Sequence, residues 1–460
     1  MRIKLPIPLK IKEILSTLGI NEYKSAEESI KFISTDSRVC ESGDLFIALR
    51  GERYNGCDFC DEAIKRGAYA ISDSVGKKIF TVGDTRLTLL KLASIYKQKL
   101  SNLKYTVGVT GSVGKTTTKE FLREIISVKY KVHATEGNYN NHIGVPLTVL
   151  TAPEDTEVLI LEMGMNSKGE IRELSSFTKP DIGIITNVGT AHIGKLGSRE
   201  NIANAKLEIL NGMSDTAGLI IPYGEPFLSV SGAITAAIYD TSADVCISII
   251  KEDGDGTLAH LKAKETEFDF SVKLCGEHLI KNLSLAIAAA LKLQLNKNEL
   301  ADGISKITID NTRQKMIKCG IFSILDDSYN SSTEAVIASL EAFCKDKNKI
   351  HTSLFSDMLE LGKYSPILHF EIGKCAALCG IKRMYVFGEY SEYIKKGAMA
   401  FGIAENDIVI KGEDESLSDF VDRVYEKTEN GEIILAKASH ATQMKTVIKM
   451  LMERYKKNNA

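Results

Sequence analysis

Residues 105–118 read YTVGVTGSVGKTTT, and this stretch decides the fold of the region around it. Its apolar, β-branched beginning predicts a strand, and the glycine-rich turn that follows opens a helix at Lys115. Backbone N–H groups at such a turn can surround phosphate oxygens, and Gly111 and Gly114 let the backbone approach closely. Lys115 supplies positive charge to the phosphates, and the Thr116 hydroxyl can ligate Mg²⁺. The stretch therefore predicts a binding site for a nucleoside triphosphate.

The loop departs at one position from the common phosphate-loop pattern GxxxxGK[ST]. That pattern has glycine where this chain has Val109, and Gly108 stands one position early. A turn that merely joins strand to helix is the alternative interpretation, but Gly-Lys-Thr-Thr after a β-branched strand argues against it. The sequence contains no Asn-Lys-x-Asp motif for guanine, which favours ATP without excluding GTP.

Two apolar runs beyond the loop, 158–163 and 182–188, predict strands that a parallel sheet buries on both faces. Glu162 lies at the end of the first run, and His192 follows the second. Ligands of open α/β sheets gather at the carboxyl ends of strands, and Mg²⁺ prefers oxygen ligands. An acidic residue at the end of a strand, or a histidine in a loop, does not by itself indicate a metal site. Their common position beside the phosphate loop favours a magnesium site.

Lys206 lies on a predicted helix that Ser198 could cap, on the same face as Ile202 and Ile209. A partly desolvated lysine has a lowered pKa, and a neutral amine can react with CO₂ to give a carbamate. From the pattern alone, a lysine whose ammonium reaches the surface is the stronger interpretation.

Composition limits the classes of protein to consider. The 460 residues predict about three domains, with 44% hydrophobic and 26% charged residues, as in globular proteins. With 58 basic and 60 acidic side chains the net charge is −2, which argues against nucleic-acid binding. No apolar run is long enough to span a membrane, and residues 1–15 lack a signal-peptide pattern. The nine scattered cysteines are therefore expected to be reduced thiols in the cytoplasm.

Changes of pattern divide the chain into three predicted α/β domains. Residues 1–102 form a small mixed domain, and 103–310 alternate strand and helix around the phosphate loop, as in a parallel sheet. Within the latter, 244–275 contain alternating runs that suggest an antiparallel addition. Residues 311–460 predict a second open α/β sheet.

Short motifs along nearly the whole chain resemble those of one known family. They are TGSVGKTTT (110–118), GNYNNHIGVP (137–146), LEMGM (161–165), TNVGTAH (186–192), AKLE (205–208), GEHLIKN (276–282), Arg313, DSYN (327–330), DMLELG (357–362), and, at the front, TDSR (35–38) and GDLFIAL (43–49). Together they are similar in order and spacing to the Mur ligase family.

The resemblance implies a function for each domain. The first is expected to bind a UDP-sugar peptide, the central P-loop domain to use ATP with Mg²⁺, and the third, Rossmann-like domain to receive an amine. The implied enzyme is a monomeric ligase that joins D-alanyl-D-alanine to UDP-N-acetylmuramoyl-tripeptide through an acyl phosphate. Such an enzyme acts in cytoplasmic peptidoglycan precursor synthesis, and hence in cell-wall biogenesis and division.

The resemblance also implies roles for individual residues. Three are expected to be catalytic: Lys115, His192 and Lys206. Those expected around the nucleotide are Gly111, Ser112, Gly114, Lys115, Thr116, Thr117, Asn282, Arg313 and Asp327. Those expected at the UDP-sugar peptide are Thr35, Asp36, Ser37, Arg38, Asn138, Asn141 and Asn330. The implied metal ligands are Thr116, Glu162, His192 and Lys206, the last as a carbamate.

Departures from the family pattern concentrate in the third domain. They are Ser331–Thr333, Ser356, Ala438 and His440, where the family usually has Ala-Asn-Pro, glycine, glycine and arginine. They leave open whether the amine is D-alanyl-D-alanine, a variant dipeptide or glutamate, the last as in folylpolyglutamate-synthase-like ligases. A paralogue that only binds the UDP-sugar peptide and a nucleotide-dependent switch are further alternatives. The third residue of the tripeptide, lysine or diaminopimelate, also stays open.

Overall fold

A computed structural model describes residues 1–20, 27–51, 54–76, 78–253, 255–308, 315–328 and 331–458. These residues build three sheets in successive stretches of the chain, each with helices packed on it. The boundary predicted at 102 lies between the first and second sheets, and the one at 310 lies outside the described residues. Both boundaries stay predictions. Of the described helices, none is long and apolar enough to cross a membrane.

The first sheet has the order β1-β2-β3-β4-β5, with β1 antiparallel to β2 and the other pairs parallel. Its elements are β1 (Arg2–Lys10), α1 (Ile11–Leu18), β2 (Ser29–Ser34), β3 (Leu45–Ile47), α2 (Cys60–Lys65), β4 (Tyr69–Ser72), β5 (Ile79–Thr81) and α3 (Thr85–Lys99). Strand β1 was not predicted from the sequence, because it contains Pro6 and Pro8. Proline is tolerated there because β1 is an edge strand, where the missing N–H donor leaves no gap in a ladder.

The second sheet has nine strands in the order β14-β13-β12-β11-β10-β9-β6-β8-β7. Its strands are β6 (Tyr105–Thr110), β7 (Val132–Ala134), β8 (Val158–Glu162), β9 (Ile182–Ile185), β10 (Leu219–Pro222), β11 (Ile234–Ile238), β12 (Val245–Asp253), β13 (Gly256–Ala263) and β14 (Thr266–Val272). Its helices are α4 (Lys115–Ile126), α5 (Gly144–Leu150), α6 (Glu170–Thr178), α7 (Ile193–Leu196), α8 (Arg199–Leu207), α9 (Glu277–Lys292) and α10 (Lys297–Ser305). Neighbouring strands from β7 through β6 to β12 in this order are parallel. Strands β12, β13 and β14 pair antiparallel, which confirms the antiparallel addition predicted within 244–275.

The third sheet has the order β15-β16-β20-β17-β18-β19 and is parallel except for β15. Its elements are β15 (Lys315–Cys319), β16 (Phe322–Asp326), α11 (Thr333–Phe343), β17 (Ile350–Phe355), α12 (Ser365–Cys379), β18 (Arg383–Val386), α13 (Ser391–Ala400), β19 (Ile408–Ile410), α14 (Leu417–Lys427), β20 (Glu432–Lys437) and α15 (Met444–Asn458). This is the second open α/β sheet that the sequence predicted after the central domain.

The order of the second sheet positions the site. Strand β6 lies between β8 and β9, so the chain leaves β6 toward α4 at the point where the strand order reverses. Crevices at such switch points, outside the carboxyl ends of the strands, are the usual ligand sites of open α/β sheets. The phosphate loop, Glu162 at the end of β8 and the residues after β9 therefore meet at one edge.

Candidate active site

Two glycines of the phosphate loop have backbones that other residues rarely adopt. Gly111 has φ +153° and Gly114 has φ +79°. A Cβ atom at Gly111 would lie 1.8 Å from Thr186 Oγ1, and one at Gly114 would lie 2.5 Å from Asn282 Oδ1. The loop therefore needs glycine at both positions. The same contacts bring Asn282, predicted at the nucleotide, directly against the loop.

The loop is held in shape by its own hydrogen bonds. Lys115 Nζ donates to the carbonyl oxygens of Gly111 at 2.8 Å and Ser112 at 3.2 Å. The N–H groups of Ser112 and Val113 both donate to Asn187 Oδ1 at 3.0 Å. Asn187 was given no role of its own by the sequence analysis, although it lies in a quoted motif directly after β9. In other loops of this type such N–H groups face phosphate, whereas here the Asn187 amide oxygen accepts from them.

Glu162 is 2% exposed and lies beside the start of α4. Its carboxylate accepts hydrogen bonds from Thr116 Oγ1 at 2.7 Å and from Asn140 Nδ2 at 2.8 Å. Its N–H donates to Thr135 Oγ1 at 3.0 Å. The structure thus brings together two residues of the predicted metal set, Thr116 and Glu162. Asn140 was missed, although its neighbours Asn138 and Asn141 were named.

Lys206 is 1% exposed, so the expectation of a lysine that reaches the surface is wrong. Helix α8 buries this side chain together with Ile202 and Ala205, because the face that carries it packs inward. Burial lowers the pKa of Lys206 well below its ordinary value, the charge of Lys115 lowers it further, and Glu334 opposes both. Within the described residues, its ammonium forms no hydrogen bond or ion pair.

His192 lies near these two lysines but contacts the third domain. Burial lowers the pKa of His192, Glu360 opposes that shift, and the charges of Lys115 and Lys206 lower it further. Its Nδ1 forms a hydrogen bond with the Glu360 carboxylate. Nearby, the Thr190 N–H donates to Glu334 Oε1 at 2.7 Å. The loop after β9 is therefore held against two acidic side chains of the third domain.

Asp327, predicted at the nucleotide, is engaged inside the third domain. It is 8% exposed and accepts hydrogen bonds from Lys437 Nζ at 2.7 Å and from Ser339 Oγ at 2.6 Å. Its charge acts on His278 in helix α9 of the central domain. Arg313 and Asn330 lie outside the described residues. In the part of the chain that is described, no three His, Cys, Asp or Glu side chains cluster as metal ligands.

Family models and relatives match this chain along its length. Residues 109–290 match the model described as Mur ligase middle domain, and 29–86 match the one described as Mur ligase family, catalytic domain. The UDP-N-acetylmuramoyl-tripeptide–D-alanyl-D-alanine ligase of Bacillus subtilis strain 168 is 35% identical, with 96% of each chain covered. This chain belongs to the Mur ligase family. The resemblance stated from the motifs is confirmed.

Solved structures of other proteins agree with the assignment of this chain to the Mur ligase family. The crystal structure of MurF from Acinetobacter baumannii has a TM-score of 0.87 and 27% identity, and covers 98% of this chain and 100% of that one. MurF from Thermotoga maritima, in complex with ADP, has a TM-score of 0.78 and 28% identity, with 93% and 98% covered. The predicted three-domain α/β fold is confirmed.

The residues predicted at the UDP-sugar peptide are largely tied into local structure in this Mur ligase. The Arg38 guanidinium, bonded to Asp36, lowers the pKa of that carboxyl to about 2, and Ser37 Oγ donates to Glu62 at 2.6 Å. Asn141 Oδ1 accepts from two N–H groups at the start of α5. Thr35, which is half-buried, and Asn138, which is exposed, complete the described set. Their roles stay predictions.

Two of the departures from the Mur ligase pattern line the same cavity. Ser331 and Ser356 line a small cavity with His369 and Lys437. Ala438 is fully buried and does not have a positive φ, so its methyl group imposes no backbone strain. His440 is exposed. Ser331 and Ser356 therefore alter the wall of one cavity in the third domain, and none of the departures lies in the phosphate loop.

Proposed function

We propose that this Mur ligase joins D-alanyl-D-alanine to UDP-N-acetylmuramoyl-tripeptide and releases ADP and phosphate. One observation carries the proposal: a phosphate loop, a buried carboxylate and a buried lysine converge at the switch point of a chain that matches a ligase of that name along 96% of its length. ATP and UDP-sugars are cytoplasmic metabolites, so we place the enzyme in the cytoplasm. We expect it to act as a monomer.

The reaction needs an activated acyl group because a carboxylate oxygen is a poor leaving group. Transfer of the γ-phosphoryl group of ATP to the terminal carboxylate of the tripeptide gives an acyl phosphate and ADP. The free amine of the dipeptide attacks the acyl carbon, and the tetrahedral intermediate expels phosphate as the amide forms. Catalysis of phosphoryl transfer is mostly positioning and charge stabilisation. The protein must therefore hold three substrates and exclude water.

The phosphate loop is suited to the ATP part of this work. Its glycines leave room for phosphate oxygens, and Lys115 is held over the loop by two carbonyl oxygens. A lysine ammonium in that position is a point charge for the transferring phosphoryl group. Asn282 borders Gly114 and is proposed to contact the nucleotide, with Arg313 and Asp327 of the third domain.

The residues around Glu162 fit a magnesium ion. Its buried carboxylate has only neutral hydrogen-bond donors, Thr116 and Asn140, and among the described residues no cation pairs with it. A buried charge in that position needs a counter-ion. We propose Thr116, Glu162 and His192 as the protein's ligands. Bound Mg²⁺ would supply positive charge to the phosphate oxygens.

Lys206 is proposed to be carbamylated. Its burial favours the neutral amine, which is the form that reacts with CO₂, and the neighbouring charge of Lys115 favours an anionic product. A carbamate at this position would add a negative charge and two oxygen atoms near His192. The remaining candidates, Thr35, Asp36, Ser37, Arg38, Asn138, Asn141 and Asn330, are proposed to bind the UDP-sugar peptide.

The test measures phosphate release from Mg-ATP with UDP-N-acetylmuramoyl-tripeptide, with and without D-alanyl-D-alanine, and weighs the product by mass spectrometry. Stoichiometric phosphate and a dipeptide-extended product support the proposal. Turnover that needs the tripeptide but gives no such product points to another amine, which the altered cavity wall around Ser331 and Ser356 would accommodate. No response to the UDP-sugar peptide refutes the proposed substrate.

A further inference from the structure

Two residues with left-handed backbones face each other between the central and third domains. His192, before α7, has φ +63°, and Glu360, in the loop after β17, has φ +65°. Residues other than glycine seldom adopt this conformation, and such residues cluster at functional sites and switch regions. The two residues are 168 positions apart and are hydrogen-bonded through Nδ1 of the histidine and the carboxylate.

Backbone contacts fix the loop of Glu360 on the start of α7. The Gly194 N–H donates to the Glu360 carbonyl oxygen at 3.0 Å. A Cβ atom at Gly194 would lie 2.6 Å from that oxygen and 2.6 Å from the Gly362 nitrogen. The Tyr364 hydroxyl donates to the Gly197 carbonyl oxygen. The approach is close enough that the position of the Glu360 carboxylate depends on the contact between the two domains.

The hydrogen bond determines which imidazole nitrogen is available. When the Glu360 carboxylate is the acceptor of this hydrogen bond, Nδ1 of His192 carries the proton and the neutral ring keeps its lone pair on Nε2. Histidines that ligate metals usually donate their other N–H to a carboxylate or carbonyl, which fixes the tautomer and the ring orientation. The Glu360 carboxylate is such a partner for His192 Nδ1, but it comes from a different domain.

We propose that Glu360 is a positioning residue for His192. By holding Nδ1, it presents Nε2 as the nitrogen for Mg²⁺, and it does so only when the third domain contacts the central one. Formation of the domain contact thereby completes the metal site, so that an enzyme with separated domains binds the metal less tightly. This inference rests on the proposed role of His192 as a metal ligand.

The experiment compares Mn²⁺ binding, followed by electron paramagnetic resonance in the presence of ADP, in the parent and in Glu360→Ala, Glu360→Gln and His192→Ala. Loss of such an outer carboxylate typically weakens metal binding about 10–100-fold. We expect a loss in that range for Glu360→Ala and a smaller one for Glu360→Gln, whose amide oxygen still accepts from Nδ1. The ¹⁵N shifts of the His192 ring should show a single tautomer in the parent and a mixture in Glu360→Ala.

Two control variants separate positioning from other effects. Tyr364→Phe removes a hydrogen bond of the same domain contact without touching His192, and Glu413→Ala removes an exposed carboxylate of the same domain. Tyr364→Phe should weaken Mn²⁺ binding much less than Glu360→Ala does, and Glu413→Ala should bind Mn²⁺ like the parent. A loss with Tyr364→Phe equal to that with Glu360→Ala would overturn the inference in favour of general loosening of the contact.

The His192→Ala variant distinguishes a failure of this inference from a failure of the proposed function. If His192→Ala binds Mn²⁺ like the parent, the metal role of His192 is wrong. If His192→Ala weakens binding and Glu360→Ala does not, the metal role stands and the positioning role of Glu360 is refuted. Thermal melting of every variant confirms that the folded protein is being compared.

Discussion

The buried ion pair of the third domain offers a prediction whose size follows from the structure. Lys437 Nζ lies 2.7 Å from Asp327 Oδ2, and the two side chains are 4% and 11% exposed. Lys437→Met removes this cation and leaves the carboxylate buried, with the Ser339 hydroxyl still donating to it. Removal of one partner of a buried pair costs about 3–5 kcal/mol because the other charge stays desolvated. We expect Lys437→Met to destabilise the third domain by that amount.

Neutralising the remaining charge should reverse much of the loss. Asp327→Asn in the Lys437→Met background keeps an acceptor for Ser339 and removes the buried negative charge. We expect the double variant to recover roughly 2 kcal/mol or more, since replacing both members of a buried pair is often nearly neutral. The matched control is Lys382→Met, which breaks an ion pair at 2.8 Å with Glu429 between half-exposed side chains. It should cost less than about 1 kcal/mol.

The assay must report on the third domain alone. The chain contains no tryptophan, so intrinsic fluorescence gives no domain-specific signal. Hydrogen exchange measured by mass spectrometry over a urea series, read on peptides from β16 and β20, gives the stability of this sheet separately. A loss below about 1 kcal/mol for Lys437→Met, or a double variant as unstable as the sum of the two singles, would refute the reasoning.

Three variants of the central domain carry the further predictions. Lys206→Met should abolish ligation and any response to added bicarbonate, and parental activity in this variant would contradict the carbamate. Because burial lowers the pKa of Lys206, the folded chain loses this proton at a lower pH than the unfolded chain, which holds it up to about pH 10.4. In CO₂-free urea titrations parental stability should therefore rise as pH approaches that value, and Lys206→Met should lose this slope. Gly114→Ala should weaken ADP binding about 5–30-fold, since a left-handed alanine costs about 1–2 kcal/mol and its methyl group displaces Asn282; unchanged calorimetric affinity would contradict this. Asn140→Ala removes a charge-assisted hydrogen bond to Glu162, worth about 1.5–3 kcal/mol, and should raise the Mg²⁺ concentration needed for half-maximal turnover while the KM for the dipeptide stays the same; a change in that KM alone would contradict it.

Local patterns predicted most of the elements near the phosphate loop. The strand Tyr105–Thr110 and the helix from Lys115 are both found, because each depends on residues a few positions apart. Strand β1 was not found, because its prolines conceal the alternation of buried and exposed residues. Only the position of β1 at the sheet edge makes those prolines compatible with a strand.

The sequence by itself determined the phosphate loop, the parallel sheets and the family, since these depend on residue type at short spacing. The tertiary structure alone decided the burial of Lys206, the hydrogen bond from Asn140 to Glu162 and the contact of Glu360 with His192. The physical reason is that burial and ion pairing depend on which faces of distant elements meet. Helix α8 carries an ordinary lysine until packing removes water from it, and this burial then lowers the pKa of the same side chain well below its ordinary value.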